Sequence, residues 1–430
     1  MKEPSELLRM MFESERWVDL LRKAEDKGLD KKLIKELCAP NKRAQLYKLI
    51  IDDDYVVFPP HVALIPKDKP GEYREVYINT DRDRIVLTLI NDCLCEMFSD
   101  MTHPQCKSYQ KGVGTQRVVK DISKQIVNMK SYGIQHIGYK SDFSKYFDTV
   151  KIEVIDGVFD ELERRLGFKK NTEPVINLLR RYYHQDWYFD SNGNLKQKYQ
   201  ALKQGCSVAS FLANVCLYDL DEYMSKKYKI YYRYSDDLVA IDVDTEDVLD
   251  DINMFCNPKG VILNPKKVEP LYSDQWFKFL GFNIKGDLIT LSKTRVKKFQ
   301  HEIERLTIKK KKCTAKQAKY NVVRYLYEGE HSWASSCLGT INVEHDIIEM
   351  NNFIMDCIRA CETGRKKIGG LGSCMDRGDY TIVRGKGKNV RANKTKTDKQ
   401  IVSFLSMNCL SKDLKIHPAV FECAVRTMSR

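Results

Sequence analysis

The chain has 430 residues, 43% hydrophobic and 30% charged, with 17 Phe, 23 Tyr and 4 Trp. This composition excludes a solvated coil, suffices for two or three cores, and includes no run near the roughly 18 apolar residues of a membrane span. The net charge is +13, and residues 291–430 hold 28 Lys and Arg against 14 Asp and Glu, so the whole excess lies in the last third. A one-sided basic region suggests a polyanion partner, most often nucleic acid, over a merely solvated face.

The opening MKEPSELLRM lacks the apolar stretch of a signal peptide, which predicts an intracellular, cytoplasmic protein. Fourteen cysteines contain no Cys-x-x-Cys pair, and several sit in apolar segments such as Cys216 in ANVCLYDL. Reduced core thiols are expected rather than a disulfide or zinc framework.

Residues 1–50 read as helices. Leu8, Met11, Phe12, Val18 and Leu21 share a face of one predicted helix that Gly28 ends. Asp30 is a candidate N-cap for KKLIKELC. Asp52–Asp54 reads as a turn or helix end rather than a metal site. YVVFPPHVALIPK is extended, GEYREVYIN alternates like a strand, and DRIVLTLINDCLCEMF is helical. Gly112 and Gly114 mark a turn before the helix RVVKDISKQIVNMK, since a lone Gly-x-Gly is a weak phosphate cradle.

IGYKSDFSKYFDTV reads as a strand entering a turn and helix. IYYRYSDDLVAIDV reads as a hairpin with acids at its tip, and KFLGFNI with LITLS as another. Strands and helices in no βαβ rhythm imply an α+β fold, an antiparallel sheet with helices on one face. Residues 292–361 are helical and basic. Residues 364–398, rich in Gly, Lys and Arg, suggest loops or a small hairpin, and KQIVSFLSMNCL a last helix. His184, His301, His331 and His345 show no ligand spacing.

The chemistry lies in the carboxylates. Asp142 ends one predicted strand, and Asp236 and Asp237 sit at a hairpin tip. An Asp-Asp turn alone is usually solvated. If the two elements are sheet neighbours, three acids converge and repel, and hard divalent cations relieve that repulsion. Two such ions suit phosphoryl transfer.

In order along the chain stand Ile65-Pro66-Lys67 with Arg74, Asp142 with Phe147 and Asp148, Gln204-Gly205 with Asn214, Tyr234-Ser235-Asp236-Asp237, Leu263-Asn264-Pro265 with Lys267, and Phe279-Leu280-Gly281. Together they resemble the bacterial reverse transcriptase family (group II intron- and retron-like) over about residues 60–290. The short helical N-terminus and basic C-terminus look most like the stand-alone reverse transcriptases of phage defence, which use a dedicated noncoding RNA. Gln204-Gly205 departs from the bacterial intron and retron pattern, being followed by Cys206-Ser207 rather than Ser-Pro.

The resemblance implies a right-hand polymerase. Residues 1–60 would be an N-terminal helical region, 61–136 fingers, and 137–290 palm, with fingers elements interleaved at about 165–200. Residues 291–362 would be a helical thumb and 363–430 a basic extension. It implies two Mg²⁺ ions, with Mn²⁺ as a substitute, on Asp142, Asp236, Asp237 and the carbonyl of Phe143. Lys67, Arg74, Phe147, Gln204, Gly205 and Lys267 would contact the nucleotide, with Lys69 as an alternative to Lys67. Phe147 would collide with a 2′-hydroxyl and so select deoxynucleotides. Lys293, Arg295, Lys297, Lys298, Lys309, Lys310, Arg384, Lys386 and Lys388 would hold nucleic acid. The expected function is RNA-directed DNA synthesis from an associated noncoding RNA in antiviral defence, with RNA template, DNA product and deoxynucleotides as partners. The alternatives are a template-independent or protein-primed polymerase on the same palm, a retron- or intron-type enzyme, an RNA-binding maturase scaffold, and an RNA-copying RNA polymerase.

Overall fold

The computed structural model describes residues 4–67, 71–328, 332–363, 381–385 and 388–392. Where one N-terminal helix is predicted, two form, α1 (Glu6–Met11) and α2 (Ser14–Arg22). The break has a local cause. Phe12 leaves the helix to meet Tyr47 edge-on at 5.1 Å, and the Trp17 indole donates to the Met11 carbonyl at 3.1 Å. Asp30 caps α3 (Lys31–Leu37) as expected, accepting from the Lys32 and Leu33 amides. α4 (Pro40–Ile51) ends at Asp52, so Asp52–Asp54 is a helix end.

Next come β1 (His61–Pro66), β2 (Tyr73–Ile78), α5 (Asp81–Met97) and α6 (Thr115–Ser131). The middle of the chain forms β3 (Ile137–Asp142), α7 (Tyr146–Thr149), α8 (Ile152–Arg165), α9 (Pro174–Tyr183), β4 (Trp187–Phe189) and β5 (Leu195–Gln197). Then follow α10 (Ala209–Val215), α11 (Tyr218–Lys227), β6 (Ile230–Tyr234), β7 (Asp237–Asp242), α12 (Val248–Cys256) and β8 (Glu269–Tyr272). The segment predicted as a hairpin after residue 276 forms three strands, β9 (Phe277–Phe279), β10 (Phe282–Lys285) and β11 (Leu288–Leu291). Leu280 and Gly281, at φ +47° and +81°, make the tight turn that adds β9. α13 (Lys293–Leu306), α14 (Ala315–Tyr327), α15 (Glu344–Thr363) and the hairpin β12 (Thr381–Gly385) and β13 (Lys388–Ala392) close the described chain. The predicted last helix lies outside the described residues.

The chain divides into two compact units, Met1–Lys111 with Ile137–Pro270, and Gly112–His136 with Leu271–Arg430. The first holds a sheet ordered β2-β1-β4-β5 and another ordered β6-β7-β3-β8. In the latter, β7 pairs antiparallel with β6, as the sequence predicts for the hairpin, and also with β3, which the sequence left as a condition. Alternation sorts its faces. Tyr231, Leu238 and Ala240 join the main core of α1–α5 and α8–α12, while Asp142 and Asp237, paired in register, lie on the opposite face. The second unit contains the sheet β11-β10-β9, α6 and α13–α15, with Phe299 packed edge-on against Trp333 at 4.7 Å. All eleven cysteines among the described residues are free thiols, seven of them buried. Among the described residues no helix is long and apolar enough to cross a membrane.

Candidate active site

The antiparallel register sets Asp142 opposite Asp237 at the ends of β3 and β7. Asp236 precedes Asp237 in the two-residue loop after Tyr234, and its carbonyl accepts from the Phe143 amide at 3.2 Å. The three acids predicted from sequence are therefore brought together. Lys267 arrives from a third segment. The Asn264 amide donates to the Asp142 carbonyl at 2.9 Å, the Lys267 amide donates to the Asn264 carbonyl, and the Lys267 ammonium donates directly to Asp142 Oδ2.

One lysine among three carboxylates leaves an excess of negative charge. Burial and the neighbouring Asp236 and Asp142 push Asp237 up to about 6. Burial also raises Asp236, helped by Asp142 and opposed by Lys267 and Arg74. Burial lowers Lys267, but its bond to Asp142 and the charges of Asp237 and Asp236 more than offset that and hold it above its ordinary value. Asp142 is 3% exposed, and its Oδ1 has no hydrogen-bond partner. A buried carboxylate oxygen without a donor, beside two further acids, fits a hard divalent cation.

Of the other predicted nucleotide residues, Arg74 acts on these acids, and Lys67, Phe147, Gln204 and Gly205 are placed by contacts of their own. Exposed Arg74, on β2, acts on Asp236, and exposed Lys67 acts on Asp148 beside Phe147. Phe147 is half-buried, edge-on to Tyr146 at 5.6 Å, and its carbonyl accepts from the Leu202 amide at 3.0 Å. The Gln204 carbonyl accepts from the Tyr77 amide at 2.7 Å, binding this turn to β2. Gly205 has φ +110°, and a Cβ there would lie 2.5 Å from Val76 Cγ1 and 2.7 Å from the Tyr77 carbonyl oxygen. Only glycine meets both demands. Next to it, burial pushes the Lys203 ammonium down to about 8, where it donates to the Gln185 carbonyl at 2.6 Å.

Beneath the acidic turn lies a group that sequence reading missed. Arg233 and Asp221 are fully buried and paired through two bonds of 2.5–2.7 Å. The remaining Arg233 donors go to the carbonyls of Ala213, Asn214 and Ser235 at 3.0–3.1 Å. One guanidinium thus joins α10, α11 and the loop carrying Asp236. A charged residue on the core-facing register of an otherwise apolar strand was its sequence signal.

In the second unit, Lys293, Lys297, Lys298 and Lys310 are exposed on and after α13. Lys309 pairs with Glu304 at 2.8 Å. Arg295 is half-buried, with its guanidinium 4.5 Å over the Phe282 ring. Arg384 and Lys388 lie on β12 and β13, while Lys386 and Lys69 fall outside the described residues. His345 lies beside two acids. With Asp346 and Glu349 it forms a largely exposed group whose side-chain ligand atoms lie within 4.8 Å of one another.

Buried Asp142 and half-buried Asp236 and Asp237 thus meet at the rim of an antiparallel sheet, an arrangement that suits metal-dependent phosphoryl transfer. Residues 65–284 match the reverse transcriptase (RNA-dependent DNA polymerase) family. The chain belongs to that family, a family of nucleotidyltransferases that use divalent metal ions, and has its right-hand polymerase fold. No curated protein sequence matches it. Among solved structures it is similar to the apo telomerase of Candida tropicalis truncated of its C-terminal domain (16% identity, 55% of this chain and 56% of that one, TM-score 0.41). It is also similar to the telomerase of Candida albicans with a fragment of telomeric RNA (12%, 72% and 60%, 0.40). A third is the insertion-loop deletion mutant of the RNA-dependent RNA polymerase of a human picorbirnavirus (14%, 74% and 60%, 0.48). The chain spans 56–60% of the length of these structures.

Proposed function

We propose that this chain is an RNA-directed DNA polymerase that copies a dedicated noncoding RNA into DNA in antiviral defence. The observation that carries the catalytic part is the convergence of Asp142, Asp236 and Asp237 on a single lysine, with one buried acid oxygen left without a donor. These acids, with the Phe143 carbonyl, would hold two Mg²⁺ ions, with Mn²⁺ able to replace them. Such ions supply charge neutralisation to both the attacking and the leaving oxygen of a phosphoryl transfer.

The rest of the work belongs to the chain itself. Arg74 and Lys67 would bind the triphosphate, the fork of Arg74 suiting phosphate oxygens. Phe147 would exclude a 2′-hydroxyl, and Gln204 and Gly205 would lie under the templating pair. Lys267 would hold a proton near the triphosphate. Residues 61–136 would serve as fingers, 137–290 as palm and 291–362 as thumb. The exposed lysines of α13 would follow the duplex through phosphate contacts that carry no sequence information. Arg384, Lys386 and Lys388 would contact the cognate RNA. The defence role is supported by the resemblance in motif order, helical N-terminus and basic C-terminus to stand-alone phage-defence enzymes.

The test is sequencing of nucleic acid that co-purifies with the protein from its native locus, with and without Asp236→Ala/Asp237→Ala. One abundant RNA in both, with complementary DNA only in the wild type, is expected. Complementary RNA instead would remove the Phe147 argument. RNA in both and no new strand in either would favour a binding scaffold.

A further inference from the structure

Two non-glycine residues in the left-handed region touch each other at the acidic turn. Ser235, the residue before Asp236, has φ +60°, and Tyr109 has φ +57°. The Tyr109 hydroxyl lies 3.4 Å from Ser235 Oγ. Left-handed backbone at a bulky residue is costly and persists only where its surroundings enforce it, typically at ligand clamps.

The enforcement at Tyr109 is visible. Ser108, fully buried, donates its hydroxyl to Asn214 Oδ1 at 2.8 Å, and Asn214 Nδ2 donates to the Ser108 carbonyl at 2.8 Å. The Cys106 thiol also donates to Asn214 Oδ1, at 3.1 Å. Arg233 holds the other partner by donating to the Ser235 carbonyl, and its backbone amide donates to the Gln105 carbonyl at 3.1 Å. Both sides of the contact are thus fixed from below by buried groups. The Tyr109 side, however, is not covered: the residue is 53% exposed. Partial burial of its hydroxyl raises the phenol, and the charges of Asp236 and Arg74 also act on it, so it lies near both. A rigid, open aromatic ring at that point has low entropy to lose on contact and a face suited to a sugar or base.

We propose that Tyr109 is a substrate-contacting residue that seats the terminal sugar of the growing strand beside the catalytic acids. The proposal rests on the polymerase reading of the site. In the reading above Arg74 takes the triphosphate, Phe147 the incoming sugar, and Gln204 with Gly205 the templating pair, which leaves the end of the growing strand for the ring that meets the turn at Ser235. The fixed ring would hold the 3′ end against the turn and favour its attack geometry.

The test is single-nucleotide extension of a DNA primer annealed to an RNA oligonucleotide by the full chain. Primer–template and deoxynucleotide are varied separately for wild type, Tyr109→Phe, Tyr109→Ala and Tyr109→Gly. Tyr109→Ala and Tyr109→Gly are expected to raise KM for primer–template about tenfold, with KM for the deoxynucleotide held within about twofold. Tyr109→Phe is expected to raise it less. Glycine tolerates the left-handed backbone, so Tyr109→Gly keeps the loop while removing the ring, and equal thermal midpoints verify that. Full extension by Tyr109→Gly would show that only the backbone matters and would overturn the proposal. A rise in deoxynucleotide KM alone would overturn it as well. Failure of the wild type to extend any primer would instead overturn the polymerase reading beneath it.

Discussion

The acids buried beneath the sheet and the acids at its rim are neutralised in opposite ways. Asp221 has Arg233 in a two-bond pair and the Tyr231 hydroxyl at 2.7 Å. Glu163, on α8, accepts from Arg180 and from the backbone amides of Asn171, Thr172 and Glu173 at 2.9–3.1 Å. These charges are completed from within the chain. At the rim, Asp142, Asp236 and Asp237 have Lys267 in direct contact with one of them and Arg74 acting on another. Burial and mutual repulsion raise Asp236 and Asp237 above the ordinary carboxylate range. The difference teaches where the molecule expects charge from outside. The acids beneath the sheet are closed by cations of their own, whereas the rim set is left short of positive charge, as the proposed metal site requires.

The largest effect should come from the rim. Asp236→Asn/Asp237→Asn is expected to lower primer extension by roughly 10³-fold or more, with no loss of melting midpoint, because it removes repelling charge. Any shift of the wild-type midpoint by Mg²⁺ should vanish in the variant. Thermal denaturation with and without Mg²⁺, alongside the extension assay, reads both. A fall of several degrees in the variant would mean that the rim acids are structural like Asp221.

The buried pair should respond in the reverse sense. Arg233→Met leaves Asp221 buried and unpaired and is expected to cost about 3–5 kcal/mol. Adding Asp221→Leu should restore much of that stability. Denaturant titration of the single and double variants checks it, and equal stabilities would dissolve the contrast drawn above.

The smallest effect sharpens the comparison at an intermediate case. Glu173 is fully buried at the start of α9, accepting from the Ser5 hydroxyl and from the Ile176 amide at 2.5 Å, with no cation of its own in direct contact among the described residues. Burial pushes it up to about 7, the nearby Glu163 adding to the rise and its hydrogen bonds opposing it. Since the folded value lies above the unfolded one, the stability from its neutral form is full below about 4.5. It is lost as pH rises to about 7, a change on the order of 3 kcal/mol. Glu173→Gln, always neutral, should flatten that part of the stability profile and be more stable than wild type at pH 8. Melting midpoints between pH 4.5 and 8 measure it, and parallel profiles for the two proteins would show that Glu173 is already charged in the fold.

Much of the site was legible because its chemistry is carried by local patterns. The hairpin around Ser235-Asp236 follows from alternation on either side of a polar pair, whereas Gly205 was named through the resemblance as a nucleotide contact and its close approach to Val76 and Tyr77 shows only in the structure. Arg233 was legible only in outline, as a charge on an apolar register, since its partners lie on α10 and α11. Tyr109 gave no signal at all. Its place at the turn depends on Asn214, 105 residues away in the chain, holding the segment that precedes it.

By itself the sequence determined the acids, their order, the antiparallel hairpin and the basic last third, because side-chain type and short periodicity need no distant partner. The tertiary structure alone decided that β3 lies beside β7 rather than elsewhere, that Lys267 reaches Asp142, and that Tyr109 meets Ser235. Those are contacts between segments far apart in the chain. They are fixed by the packing of the core and by buried polar groups that find partners only once the chain has closed on itself.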